Sequence, residues 1–193
     1  MIFVFDGIDG CGKSTHAKHA FDYVVSRGYD AVLLKEPTTE SPAGIALKEA
    51  LESGKRPSPE EELRLFIEDR KWDVENRIIP ALQKGEIVVL DRYYYSTVAY
   101  QGARGMDAEK IMEMNSFAPK PDIGFILDIE PEIAMERIKR RKNADYFEEL
   151  EYLKKVREIF LSMKGLPEVV IIDSSGDKRD VEVQIKGFID RVL

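Results

Sequence analysis

The stretch that decides the reading is Phe3–Thr15, FVFDGIDGCGKST. A short apolar run ends at Asp6, glycines follow at positions 7, 10 and 12, and a lysine and two hydroxyl residues close it. Gly7-Ile8-Asp9-Gly10-Cys11-Gly12-Lys13-Ser14 fits the phosphate-loop pattern G-x-x-x-x-G-K-[ST], with a strand before it and a helix after it. Glycines let the main chain curl so that successive N–H groups converge on one anion. A helix starting near Ser14 adds its positive end. Lys13 can reach β- and γ-phosphate oxygens, and the Ser14 hydroxyl is the expected Mg2+ ligand. Gly7, Ile8, Asp9, Gly10, Cys11, Gly12, Lys13, Ser14 and Thr15 are thus the expected ATP-binding set. Cys11 reads as a small side chain where the backbone closes on phosphate, rather than as a redox group.

Outward from the loop, apolar runs at Ile2–Asp6, Ala31–Leu34, Ile87–Leu90, Ile123–Leu127 and Val169–Ile172 read as strands. All look too uniformly apolar to be half-exposed, which argues for a parallel sheet covered on both faces. Helical stretches alternate with them: Ser14 to about Arg27, closed by Gly28; 42–53, capped by Ser41; and 59–84, where Ser58 and Glu61 have capping-box spacing and Pro80 should bend or break the helix. Others follow at 131–142, at about 147–164 and from Asp177 onward. The expected fold is α/β: a P-loop NTPase three-layer sandwich, with a five-stranded parallel sheet and helices on both faces. A single domain over 1–193 fits the length.

Composition narrows the function. The chain is 44% hydrophobic and 34% charged, with a formal net charge of −7. An acidic balance argues against a general nucleic-acid or membrane-surface binder. Cys11 is the one cysteine, so no intrachain disulfide is expected. Nothing at the N-terminus reads as a signal peptide, and no run approaches about 18 apolar residues. A soluble, cytoplasmic protein is expected, with no nucleic-acid or membrane partner.

A P-loop alone serves switches, motors and kinases. The guanine-reading N-K-x-D tetrapeptide is absent from the sequence, and a motor would usually be larger, which leaves a small kinase. Glu36-Pro37 ends the second strand run, where open α/β sheets bind ligands. Phe66 and Arg70 sit at i and i+4 and so share a helix face. Such a pair suits a planar base, although spacing alone favours a core aromatic and an arginine paired with Glu68 or Asp73. In LDRYYYSTVAYQGARG (Leu90–Gly105), Asp91 can hold a metal shell through water and Arg92 can grip a phosphate. Tyr93, Tyr94, Tyr95 and Tyr100 read as a ligand pocket, because buried phenols need partners. RIKRRK (Arg137–Lys142), followed by Asn143-Ala144-Asp145, reads either as a solvated face or as a closing lid, about 137–147. His16 and His19 at i, i+3 lack a third metal ligand and read as surface residues.

In combination these motifs resemble the thymidylate kinase family. The resemblance is carried by the P-loop with Asp9, Glu36-Pro37 followed by Pro42-x-Gly44, Phe66-x-x-x-Arg70, Asp91-Arg92-Tyr93, Ser96-x-x-x-Tyr100-Gln101-Gly102, Pro121-Asp122 and the Arg-rich lid. It implies Mg2+-dependent phosphoryl transfer from ATP to dTMP, giving dTDP and ADP, and a homodimer paired through helices. It implies Lys13, Asp9 and Arg92 as catalytic residues. It implies Asp9, Glu36, Pro37, Phe66, Arg70, Arg92, Ser96, Tyr100 and Gln101 around dTMP, with Ser14 and Asp91 at the metal. In this resemblance Phe66 stacks on thymine, Arg70 reaches a base carbonyl, and Tyr100 opposes a ribose 2′-hydroxyl. A cis Glu36–Pro37 bond fits as well. The P-loop has no arginine, so the family's catalytic arginine must come from the lid; Arg137, Arg140 and Arg141 are the candidates, with Arg141 nearest the turn. The chain departs from the family at Lys35, where bacterial relatives often have arginine. It departs again at Thr38-Thr39, where many have two glycines, and at Tyr146, where relatives often have arginine. The alternatives are another small P-loop kinase, for UMP/CMP or a deoxynucleoside, and a non-catalytic ATP-binding module.

Overall fold

The computed structural model describes residues 1–54, 57–139 and 146–193. Strands β1 (Ile2–Asp6), β2 (Ala31–Lys35), β3 (Ile87–Asp91), β4 (Ile123–Asp128) and β5 (Val169–Asp173) form one sheet. Every pairing is parallel and the order is β2-β3-β1-β4-β5. The helices are α1 (Lys13–Ser26), α2 (Pro42–Ser53), α3 (Pro59–Asp73), α4 (Ile79–Gln83), α5 (Tyr94–Gly102), α6 (Ala108–Met114), α7 (Pro131–Lys139), α8 (Tyr146–Ser162) and α9 (Lys178–Ile189). The expected α/β fold is therefore the observed one. Phe5 lies opposite Asp91, which places the P-loop strand beside the strand that ends in Asp91-Arg92.

The core forms on the inner strands. Every residue of β1 and β3 is buried, and Phe5 stacks on Phe125 of β4 at 5.0 Å. Each such large apolar side chain contributes about 1.5–3 kcal/mol by leaving water. The strand order also corrects an expectation. β2 and β5 are edges, so they are half-exposed despite apolar sequences, and Leu33 is 38% exposed.

Segment 59–84 neither breaks nor simply bends at Pro80. Ser58 caps α3 by accepting from the Glu61 N–H, but the Glu61 side chain turns to Arg64 instead of completing the box. After α3 the helix widens into a π turn, Val74–Ile78, before α4 begins with Pro80 in its first turn. Proline has no N–H to give the carbonyl four residues back, and the widened turn absorbs that mismatch.

The tyrosine cluster corrects a second expectation. Residues 94–102 form α5, and Tyr93, Tyr94 and Tyr95 are core residues at 0, 6 and 0% exposure. Their hydroxyls find partners inside the protein: Tyr93 donates to the Pro119 carbonyl, Tyr94 to Tyr95, and Tyr95 to Glu168. Gly124 makes room for this packing, since a Cβ there would lie 2.9 Å from the Tyr95 ring. Tyr93 and Tyr100 alone of the four reach the cleft described below. The helix expected over 131–142 is α7 as far as Lys139, and residues 140–145 lie outside the described residues.

Candidate active site

The P-loop leaves β1 through Gly7 and enters α1 through Gly12, which has φ +102°. Gly10 has φ +87°, and a Cβ there would sit 2.6 Å from the Ala134 carbonyl oxygen, so the close approach of loop and α7 requires glycine. No side chain caps α1 and no acidic residue occupies its first turn, so neither competes with an anion at the start of the helix. Lys13 is buried and turned inward, donating to the Gly7 and Ile8 carbonyls at 3.0 and 2.8 Å, with Asp9 at 3.7 Å. Phosphate oxygens must therefore compete with two carbonyls for this ammonium. Burial pushes the Cys11 thiol up, which keeps it protonated and fits its reading as a space-filling residue.

Beside the loop, Ser14 Oγ donates to Asp91 Oδ2 at 2.6 Å, and Lys35 Nζ lies 3.3 Å from the same oxygen. Asp91 Oδ1 is buried without a hydrogen-bond partner among the described residues. A hydroxyl and an unpartnered carboxylate oxygen at the mouth of a P-loop fit Mg2+. No group of three His, Cys, Asp or Glu that could hold a metal ion forms among the described residues.

A cleft of about 170 Å³ opens next to the loop. Asp9, Glu36, Pro37, Phe66, Arg70, Arg92, Ser96, Tyr100 and Gln101, scattered over ninety residues of sequence, all line it. Arg92 holds φ +75°, a left-handed conformation uncommon for a residue with a side chain. Its guanidinium donates to Asp9 Oδ1 and to Ser96 Oγ and lies 5.4 Å from the Tyr100 ring centroid. Burial pushes the Asp9 carboxyl up, but Arg92 and Lys13 outweigh it and hold the group at about 2. The Asp9 N–H donates to the Tyr100 hydroxyl at 3.0 Å, and Tyr100 packs edge-on to Tyr152 and Phe160, so the ring is fixed.

At the far end Arg70 is 1% exposed. It donates twice to Glu36 Oε2, once to Asn115 and once to Thr97, which leaves one of its five N–H groups, on Nη1, for anything that enters the cleft. Burial pushes the Glu36 carboxyl up, and Arg70 pulls it back. The partners expected from spacing, Glu68 and Asp73, do not hold Arg70. They pair with Arg64 and Arg77. The Glu36–Pro37 bond is cis. Gln101 donates to Glu62 Oε2, which Arg104 also holds.

Of the lid candidates, Arg137 reaches the back of the P-loop, donating to the Gly10 and Ser174 carbonyls at 3.4 Å. Arg140 and Arg141 lie outside the described residues, as does most of the segment 137–147. Sequence reasoning missed Thr97, Asn115 and Glu62 as supports of the cleft, and Asp6 beneath it. Asp6 alone left a signal, as a carboxylate ending an apolar strand just before the loop.

His16 is not a surface residue. It is 3% exposed under the P-loop, and its Nδ1 has no partner among the described residues. Burial, with His19 adding to it, lowers its pKa from the usual 6.5 to about 4. A base that resists protonation in the fold stabilises it above the unfolded value, and that stability is lost as pH falls from 6.5 through about 4. The melting temperature of wild type relative to His16→Asn should therefore drop across that window. A pH-independent difference between the two would contradict it.

A family model described as Thymidylate kinase matches residues 5–185. The chain belongs to the thymidylate kinase family. It is 45% identical to a probable thymidylate kinase of Archaeoglobus fulgidus, over all of this chain and 96% of that one. It is 41% identical to a probable thymidylate kinase of Thermococcus kodakarensis, over all of this chain and 98% of the relative. A thymidylate kinase of Xylella fastidiosa is 39% identical over all of this chain and 88% of its own length. In this thymidylate kinase family member, the loop and the cleft meet at Asp9, which touches both Lys13 and Arg92.

Proposed function

We propose that this chain is a Mg2+-dependent dTMP kinase that moves the γ-phosphoryl group of ATP to dTMP, giving dTDP and ADP. The observation that carries the reading is Arg92, a cation set between the P-loop and the cleft and clamped to Asp9. A nucleoside acceptor needs a base at its 5′-hydroxyl, whereas a nucleotide acceptor needs a cation at its 5′-phosphate. Phe66 would stack on the base, Arg70 would give its remaining N–H to a carbonyl, and Glu36, Pro37, Ser96 and Gln101 would form the walls.

Both reactants are anions, so catalysis is mostly positioning and charge. The P-loop amides and Lys13 hold the donor phosphates, while Arg92 holds the acceptor phosphate in line. Mg2+, when bound, would supply positive charge to offset the charge that develops on the donor phosphates. Ser14 would hold it directly, and Asp91 through water. Arg141 is our choice for the lid arginine, because Ile8, Asp9, Gly10 and Cys11 supply none in the loop. We read 1–193 as one kinase domain with its lid at about 137–147. We read the protein as cytoplasmic; no helix among the described residues is long and apolar enough to cross a membrane. We read it as a homodimer, for which exposed Ile45, Leu51 and Met114 on α2 and α6 offer apolar helix surface.

The test is an ADP-release screen over dTMP, UMP, CMP and thymidine. In this reading the Tyr100 ring would oppose a ribose 2′-hydroxyl, so dTMP should exceed UMP in kcat/KM by about tenfold or more. Equal turnover of UMP, or preference for thymidine, would defeat the reading. ATP binding without transfer would leave a regulatory module instead.

A further inference from the structure

Asp6 ends β1, is fully buried and lies one residue before the P-loop. Its two oxygens face two different donors on the Arg92 turn. Ser96 Oγ donates to Oδ1, and the Tyr93 backbone N–H donates to Oδ2 at 3.2 Å. The Ser96 oxygen in turn accepts from Arg92 Nη1 at 3.2 Å. One residue earlier, the Phe5 carbonyl accepts the Arg92 N–H at 3.0 Å. Two adjacent residues of β1 thus hold Arg92, Tyr93 and Ser96 by their backbone or side chains, at the place where Arg92 adopts φ +75°.

The polarity of the chain is fixed. Ser96 has one proton, and because its oxygen takes the Arg92 N–H, that proton goes to Asp6. Asp6 therefore meets a donor on each oxygen. An ionised carboxylate accepts on both oxygens, whereas an amide or a protonated acid keeps one acceptor for the Tyr93 N–H and turns a donor toward Ser96, so the Ser96 proton loses its acceptor at residue 6.

We propose that Asp6 is a positioning residue for the acceptor phosphate, whose carboxylate aims the Arg92 guanidinium by fixing the Ser96 hydroxyl and the Tyr93 amide. Burial pushes the carboxyl up to about 6, while Ser96, Arg92, Lys13 of α1 and Arg70 of α3 pull it back; the Tyr94 phenol of α5 also faces it. A charge kept in so dry a place, where it costs stability, is explained by what it holds. The inference rests on the acceptor-site reading above, in which Arg92 grips the dTMP phosphate.

The test is Asp6→Asn, alone and combined with Arg92→Ala, with dTMP and ATP affinities measured by calorimetry and KM by ADP release. Asp6→Asn should raise the dTMP constants about 10- to 100-fold, the range for a lost hydrogen bond to a charged group, and move the ATP constants by less than about twofold. In the Arg92→Ala background it should add less than about twofold, because its partner is gone. Equal losses for both substrates, no loss for dTMP in a folded variant, or a full additional loss beside Arg92→Ala overturns the proposal. Should Asp6→Asn fail to fold, Asp6→Glu carries the same test: it keeps the charge but displaces the carboxylate from Ser96 and Tyr93, and must add nothing in the Arg92→Ala background. Arg92→Ala alone separates the two readings. If it keeps dTMP affinity, the acceptor-site reading falls and this inference with it. If it loses affinity while Asp6→Asn does not, only the inference falls.

Discussion

Replacing Lys13 by alanine should lower kcat about 10²- to 10³-fold, the usual effect of removing one preorganised donor from a developing anion. The ammonium is the charged donor that the loop itself provides, and it sits 6% exposed with the Gly7 and Ile8 carbonyls as its partners. In that position it neutralises the curl of the loop while ATP is absent. Phosphate oxygens are stronger acceptors than amide carbonyls, because a charged partner roughly doubles the strength of a hydrogen bond. The side chain should therefore turn from carbonyl to phosphate as the donor enters. The variant loses that charge both in the ground state and at the transferring group, so kcat should fall more than ATP affinity. A fall in ATP affinity with kcat unchanged would assign Lys13 to binding alone. Loss of the far-ultraviolet dichroism would show instead that its bonds to Gly7 and Ile8 hold the loop together.

How legible this was in the sequence depends on the range of the forces involved. The P-loop was readable because its requirements are local: Gly10 is forced by φ +87° and by a carbonyl 2.6 Å from where a Cβ would be, and both follow from a strand turning into a helix. The parallel sheet was readable from apolar runs alternating with helices. The exposure of β2 was not, because edge position depends on strand order and not on the composition of Ala31–Lys35. Each residue expected around dTMP does line the cleft, but it was the combination of motifs that pointed there. Spacing by itself gave Arg70 the wrong partners. Its actual acceptors, Glu36, Thr97 and Asn115, lie 34, 27 and 45 residues away, and no local pattern marks them. The same holds for Tyr94 and Tyr95. Four phenols in eight residues read as a pocket, yet α5 turns two of them into the core, where Glu168 closes their hydroxyl chain.

Arg92→Ala should cost about 10³-fold or more in kcat/KM for dTMP, the lower end of what a charge-stabilising arginine supplies in phosphoryl transfer, with ATP binding nearly unchanged. The backbone makes this prediction separable from a folding defect. At φ +75° any residue with a Cβ is strained by about 1–2 kcal/mol, and alanine keeps that strain. Glycine relieves it, so Arg92→Gly should melt at a higher temperature than Arg92→Ala while being equally inactive. Asp9 is the counterweight. Without the guanidinium its carboxylate keeps Lys13 alone, and its pKa should rise from about 2 toward the ordinary value. The stability that wild type draws from Asp9 above pH 4, and loses as pH falls through about 2, should then be largely absent from both variants, whose stability should vary less with pH below 4. If glycine proved no more stable than alanine, the left-handed turn would not be strained, and the ion pair with Asp9 would suffice to explain the position of Arg92. If either variant kept near-wild-type turnover, the phosphate of the acceptor would have to be held elsewhere, and the cleft lined by Phe66 and Arg70 would be a pocket without a reaction.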